Sequence, residues 1–286
     1  ARYLAFLETI TQLRPRLHRY CSRMTGSVID GEDVAQDALF QAYRKLDTFE
    51  EGRPLAPWLF RIAHNCCIDF LRRRGVREEA EAAAVEPQAV HQPDPPGAAL
   101  GRAVEHLVLA LPPKERASVL LKDVFDYSLE EIAGMVGSTV GGVKAALNRG
   151  RSKLADTPMP VTPVRPLAEP AARILRLYVD RFNRRDWDGL RELISADAHL
   201  RVADRFAGRL TESPYFGTYQ RFETPWRMAL GIVDGESVVI MLAPDNGGWK
   251  PFSLIRLAFD GSRIVGVEDY YHCPWILSAA QSVHVS

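Results

Sequence analysis

The chain has 286 residues, 47% of them hydrophobic and 25% charged, with 36 Lys and Arg against 36 Asp and Glu. This length and balance suit a soluble folded chain of two or three domains. Zero net charge excludes a global field toward nucleic acid or anionic membrane, so any DNA contact must come from local patches.

No apolar run approaches the ~18 residues that a membrane-spanning helix needs. No signal-peptide pattern opens the chain either, and Ala1-Arg2-Tyr3 reads as a start trimmed of its methionine. Residues 1–75 read as helical. Leu4, Leu7, Ile10, Leu13, Leu17, Tyr20 and Met24 recur every three or four positions as one apolar stripe, and Gly26 can end that helix. A second helix is expected from near Asp30, with Glu32 and Asp33 in its first turn and Val34, Ala38, Leu39, Ala42 and Leu46 inward. After the loop "DTFEEGRPLAP", a third helix is expected from about Pro57 to Arg74, closed by Arg72-Arg73-Arg74-Gly75 with cations at the negative helix end.

Residues 76–99, rich in Ala, Glu and Pro, read as a flexible tether. Residues 100–155 return to helical periodicity. Pro112-Pro113 can open a helix, Ser128 with Glu131 fits a capping box, Gly137 supplies a turn, and Ser138 or Thr139 can cap the last helix. Two short helices joined at a glycine make a helix-turn-helix pattern. On the second, Val140, Val143 and Leu147 face inward, while Lys144, Asn148 and Arg151 share another face with Arg149 and Lys153 beside it. That basic surface suits phosphates and guanine edges; a helical hairpin with a solvated charged face has the same pattern. With so few cations this element should bind DNA weakly by itself.

Residues 156–169 carry Pro158, Pro160, Pro163 and Pro166 and read as a stiff spacer. In residues 170–286 a helix "PAARILRLYVDRFNRRDWDGLRELI" precedes β-rich runs punctuated by Asp234-Gly235, Asn246-Gly247-Gly248 and Asp260-Gly261, which predicts an antiparallel sheet in an α+β domain. Cys21, Cys66, Cys67 and Cys273 form no CxxC pair, and His18 with Cys21 is a nearby pairing of metal-ligand types. Buried thiols are expected, with no metal and no cofactor.

"DGEDVAQDALFQAYRKLDTFEEGRPLAPWLFRIAHNCCIDFLRRR" (30–74) resembles region 2 of the extracytoplasmic-function sigma factors of bacterial RNA polymerase, and "LPPKERASVLLKDVFDYSLEEIAGMVGSTVGGVKAALNRGRSKL" (111–154) resembles their region 4. The resemblance implies two all-α sigma domains, a cytoplasmic location, and core RNA polymerase and promoter DNA as partners. By it, Asp30, Glu32, Asp33, Gln36 and Asp37 would dock on the polymerase clamp. Phe49, Arg53, Trp58, Arg61 and Asn65 would open and hold the upstream −10 element, where an extruded base needs stacking beside phosphate ligands. Arg72, Arg73 and Arg74 would hold backbone phosphates. Thr139, Lys144, Asn148, Arg149, Arg151 and Lys153 would meet the −35 major groove.

Residues 170–286 resemble a SnoaL-like domain, a cone-shaped α+β fold shared with ketosteroid isomerase-type enzymes; "LYVDRFNRRDWDGLRELISADAHLRV" and "GSRIVGVEDYYHCPWIL" carry that likeness. It implies a regulatory domain in intramolecular contact with the sigma core, with a separate anti-sigma factor not required. Trp187, Tyr215, Trp226, Asp269 and Tyr271 are its candidate pocket residues. An isomerase-like site would pair a carboxylate base with an acid donor. No second isolated carboxylate–tyrosine pair stands out, so a positioning domain rather than an enzyme is expected. The rival readings are a ligand-sensing helix-turn-helix regulator acting without polymerase and an enzyme-like pocket fused to a DNA-binding module.

Overall fold

The computed structural model of the chain describes residues 2–50, 52–82, 110–156 and 167–285. They form two compact units, one ending at residue 156 and the other beginning at 167. The proline-rich spacer and most of the expected 76–99 tether lie outside the described residues.

In the first unit, α1 (Arg2–Thr25) buries Leu17, Tyr20 and Met24, the C-terminal half of its expected stripe. The side chains of Leu4 and Leu7 lie outside the described ones. Gly26 ends the helix with φ 85°, the left-handed backbone that glycine adopts without strain. Ser27 then caps α2 (Val28–Arg44) by accepting from Asp30 N at 3.2 Å, so this helix starts two residues earlier than the acidic first turn suggested. The two helices approach closely at Gly31, where an added Cβ would lie 2.4 Å from Ser22 Cα.

The helix α3 (Leu55–Ala82) runs through Gly75, where the sequence predicted a stop. A helical glycine costs about 1 kcal/mol against Ala, and the Arg, Glu and Ala that follow are strong enough helix formers to carry the helix on.

The second helical block packs into the same core. Pro113 opens α4 (Pro113–Val119), which widens into a π-helical turn over Leu120–Val124. Ser128 and Glu131 form the expected capping box on α5 (Leu129–Val136), and Gly137 (φ 62°) turns the chain into α6 (Val140–Asp156). Thr139 supplies the cap, its Oγ1 accepting from Gly142 N at 3.0 Å. Among the described residues, α5 packs on α3 and α4 on α6.

The second unit begins with α7 (Glu169–Asn183) and α8 (Trp187–Leu193), not the single helix expected. The break lies at Arg185 (φ 60°), after which Asp186 caps α8 by accepting from Gly189 N at 2.9 Å. The strands are β1 (Ile194–Val202), β2 (Phe206–Arg209), β3 (Arg227–Val233), β4 (Glu236–Asp245), β5 (Gly248–Asp260), β6 (Arg263–Asp269) and β7 (Val283–Val285). Between them lie α9 (Tyr215–Gln220) and α10 (Trp275–Ala279).

The sheet order is β2-β1-β6-β5-β4-β3-β7. Asp234-Gly235 and Asn246-Gly247 have positive φ at both positions, the backbone of tight hairpins. The sheet is mixed, not wholly antiparallel, because β1 pairs β6 in parallel. The helix α7 lies against β3 and β6 over an aromatic core, giving the α+β domain expected.

Candidate polymerase and promoter interfaces

The acids of α2 separate into two roles. Glu32 is fully buried; Arg14 Nη2 donates to its Oε1 at 2.5 Å and Gln36 Nε2 at 3.1 Å. It pins α1 to α2 and does not share the outer face. Asp30, half-buried, lies 3.6 Å from Arg74, which also donates to Thr25 O at 3.5 Å and so ties α3 back to the α1–α2 corner. Asp33 and Gln36 are half-buried and Asp37 is exposed. Beside them stand two exposed aromatics absent from the expected set, Phe40 at 62% and Tyr43 at 52% exposure. The signal was their i+3 and i+6 spacing from Asp37, off the inward stripe of Ala35, Ala38 and Ala42.

Trp58, Arg61, Asn65 and Arg72 recur at helical spacing along one side of α3, with Arg61, Asn65, Arg72 and Arg73 exposed. Phe49 stacks obliquely on Trp58, with ring centroids 4.9 Å apart. These two rings, with Arg53, Pro54 and Arg61, line a cleft of about 300 Å³. Its far wall is α5, through Glu131, Gly134 and Met135. Arg53 pairs with Glu50 at 2.7 Å and Arg72 with Asp69 at 3.2 Å, both exposed pairs.

On α6, Thr139, Lys144 and Asn148 face solvent together. The C-terminal cations point elsewhere. Arg149 and Lys153 both donate to Glu115, at 2.8 and 2.9 Å, and Arg151 grips Asp123 at 2.5 and 3.1 Å. The hydrogen bonds from Lys153 and then Arg149 hold the Glu115 carboxyl below its usual range. Three of the four cations expected on that surface are thus committed to α4 and its π turn. The sequence could not show this, because Glu115 and Asp123 lie far upstream.

In the second unit, Asp269 is buried at the end of β6. Its Oδ2 accepts from Tyr215 at 2.8 Å and Tyr219 at 2.6 Å, and its Oδ1 from Tyr271 N at 2.8 Å. Burial raises the pKa of Asp269 and holds both phenols well above theirs. Trp226 packs on Phe182 and Tyr219, with the Arg185 guanidinium 3.4 Å from its ring centre, and Trp187 packs on Phe182 and Phe216. Tyr271 lies past the strand end against Phe222 and Phe252. Tyr215, Trp226, Asp269 and Trp187 therefore meet in one aromatic core with Tyr219, whose i+4 spacing from Tyr215 was the missed signal.

The four cysteines are buried thiols. His18 Nε2 donates to Val28 O at 2.9 Å. No helix among the described residues is long and apolar enough to cross a membrane.

A helical bundle with an acidic outer face, followed by a capped helix-turn-helix, defines the sigma-70 class: residues 9–77 match the Sigma-70 region 2 family and residues 101–154 the Sigma-70, region 4 family. The ECF RNA polymerase sigma factor SigW of Bacillus subtilis is 32% identical over 162 residues, covering 52% of this chain and 87% of that protein. The ECF sigma factor SigG of Mycobacterium tuberculosis is 30% identical over 240 residues, covering 72% of this chain and 61% of that protein. The solved SigJ structure from Mycobacterium tuberculosis aligns over 92% of this chain and 95% of its own, at 17% identity and a TM-score of 0.36. The chain belongs to the extracytoplasmic-function sigma factors. It is an alternative sigma factor, whose partners are core RNA polymerase and promoter DNA.

Proposed function

We propose that the outer face of α2, through Asp33, Gln36, Asp37, Phe40 and Tyr43, docks on the polymerase. Exposed aromatics beside acids and an amide are the composition of an interface centre with a polar rim. The cleft of Phe49, Trp58, Arg53 and Arg61 takes an unpaired −10 base by stacking, and Asn65, Arg72 and Arg73 follow its backbone along α3. Thr139, Lys144 and Asn148 read the −35 groove. Arg149, Arg151 and Lys153 brace that helix on α4, and Arg74 with Asp30 braces region 2.

The observation that carries this reading is the aromatic cleft with its arginines at the head of the Trp58–Arg72 strip. On this account the domains are residues 1–75, 100–155 and 170–286, with linkers between, and the chain works in the cytoplasm where polymerase is. The third domain modulates initiation rather than catalysing a reaction; the Tyr215–Asp269–Tyr219 cluster serves as its internal brace. Run-off transcription with core polymerase is the test. Trp58→Ala and Arg61→Ala should each lower initiation at least tenfold, and a chain ending at Asp156 should differ from the full chain in activity. Full activity of the Trp58 and Arg61 variants would overturn the assignment of the cleft.

A further inference from the structure

Ion pairs occupy much of the arginine complement of the third domain. Arg176, Arg181, Arg184, Arg191, Arg201 and Arg256 each lie 2.6–3.6 Å from a carboxylate oxygen. Arg185, Arg221, Arg227 and Lys250 differ. All four are exposed, and none has a carboxylate partner among the described residues.

These four cations gather at one end of the sheet. Arg227 opens β3 opposite Leu242 of β4, and beyond Leu242 the β4–β5 hairpin runs on past β3, with Ala243 opposite Lys250 and Pro244 opposite Trp249. The Arg227 guanidinium lies 5.0 Å from the ring centre of Trp249, which is 41% exposed. Next along the chain, the buried Trp226 carries Arg185 at 3.4 Å, and that guanidinium also donates to Phe182 O at 3.1 Å and Trp226 O at 3.3 Å. Arg221 follows α9; its neighbour Phe222 packs on Tyr271, and Tyr271 packs on Phe252, two residues from Lys250. The exposed acids on these segments are Glu223, Asp245 and Asp186, and Asp186 is already engaged by Gly189 N and Arg181. Four cations against the two remaining acids leave this rim positive, within a chain of zero net charge.

A guanidinium laid against an indole keeps its charge and is held in one plane. Arg185 uses two of its N–H groups on carbonyls, which leaves three of the five for an outside acceptor. Planar, pre-oriented arginine suits the paired oxygens of a phosphate. A protein partner would instead need an apolar anchor at the centre of the patch. The exposed neighbours here are Thr224, Pro225, Asn246, Gly247 and Gly248, and the one exposed indole lies beneath Arg227.

We propose that this rim holds the phosphates of duplex DNA just upstream of the −35 element, without regard to sequence. Arg185 and Arg227 are the stacked contacts, flanked by Arg221 and Lys250. The proposal rests on the sigma-factor reading and gives the modulating domain a DNA contact of its own. Only residues 157–168 separate α6, the −35 reading helix, from α7, and twelve residues reach at most about 40 Å. The duplex on the downstream side belongs to region 2 and polymerase, so the free duplex within that reach lies upstream. Linkage of this length raises the local concentration into the millimolar range, where a few phosphate contacts suffice.

The test uses the full-length chain bound to core polymerase and two promoter fragments. One fragment ends at the −35 element; the other carries about 40 further upstream base pairs, roughly 135 Å of duplex. The upstream duplex should strengthen binding at least fivefold more for the parent than for a variant carrying Arg221→Gln, Arg227→Gln and Lys250→Gln. Each phosphate contact adds about 3.5-fold to the affinity lost between 50 and 200 mM salt. Across that range the variant should therefore lose roughly 40-fold less than the parent on the long fragment, with no such difference on the short one.

An equal gain from upstream duplex in parent and variant overturns the proposal and leaves the sigma reading standing. A variant weakened alike on both fragments means that the rim meets a protein, which also overturns it. Absence of promoter-dependent binding by either chain with native core polymerase overturns both readings. The three substituted side chains are exposed and donate no hydrogen bond among the described residues, so the variant should melt with the parent. Should it melt early, Arg221→Gln with Lys250→Gln leaves both stacks intact and decides the matter, with a salt difference of roughly 12-fold.

Discussion

Glu32→Ala separates a scaffold residue from a docking residue on the same helix. Glu32 has no exposed side-chain surface, and Arg14 is 17% exposed at 2.5 Å from it. Removing one partner of such a buried pair costs about 3–5 kcal/mol, because the guanidinium is left desolvated. A domain of this size has roughly 5–15 kcal/mol in total, so the Tm of the first unit should fall by about 10–15 °C. Asp37, exposed on the next turn, should behave otherwise: Asp37→Ala leaves stability within about 0.5 kcal/mol and weakens polymerase binding by roughly fivefold, an increment typical of an interface side chain.

The assay is thermal unfolding of the full-length chain beside polymerase binding for both variants, with each unit's transition resolved because two units need not melt together. Arg14→Met combined with Glu32→Leu should recover part of the loss, since a well-packed apolar pair often replaces a buried ion pair at little cost. The reasoning is refuted if Glu32→Ala melts with the parent chain yet loses polymerase, for then Glu32 docks directly.

Other outcomes follow from the same geometry. His64 is buried and its pKa is lowered to about 4 by desolvation; the unfolded chain binds this proton near pH 6.5 and the folded chain only near 4. Its contribution is therefore intact above 6.5 and declines below, by roughly 2 kcal/mol at pH 5, and urea midpoints at pH 7 and 5 should show a drop that His64→Gln lessens. Asp269→Ala strands two phenols and an N–H and should cost the second unit about 3–5 kcal/mol, whereas Asp269→Asn keeps most partners and costs less than half of that; equal losses in chemical denaturation would count against the brace. Gly31→Ala forces a Cβ to within 2.4 Å of Ser22 Cα, and should destabilise the α1–α2 pair by about 1–3 kcal/mol, read as a lower melting temperature of the first unit alone.

Features written in short stretches were legible in the sequence. The capping box of Ser128 and Glu131, the left-handed Gly137 and the hairpins at Asp234-Gly235 and Asn246-Gly247 each need only neighbouring residues, and each forms as expected. The Leu17–Tyr20–Met24 stripe needed only helical spacing. Glu32 was half legible: an acid in a first turn reads as exposed, yet its spacing from Val28 and Ala35 places it inward, and only Arg14 on another helix makes that burial tolerable.

What escaped depended on distant partners. The parallel pairing of β1 with β6 joins segments separated by most of the sheet. The commitment of Arg149, Arg151 and Lys153 depends on acids of α4 and its π turn. The continuation of α3 through Gly75 was a matter of magnitude, one weak position among strong helix formers. The meeting of Arg116 with Met24 O crosses from one sigma region to the other, and no local pattern announces it.

The most direct measurement is mapping of transcript starts made by core polymerase on a library of promoter fragments, with and without the full-length chain. Starts that appear only with the chain, that share one −10 and one −35 sequence, and that vanish with Arg61→Ala are the predicted result. A folded chain that binds core polymerase but adds no start to those of core alone would contradict the account.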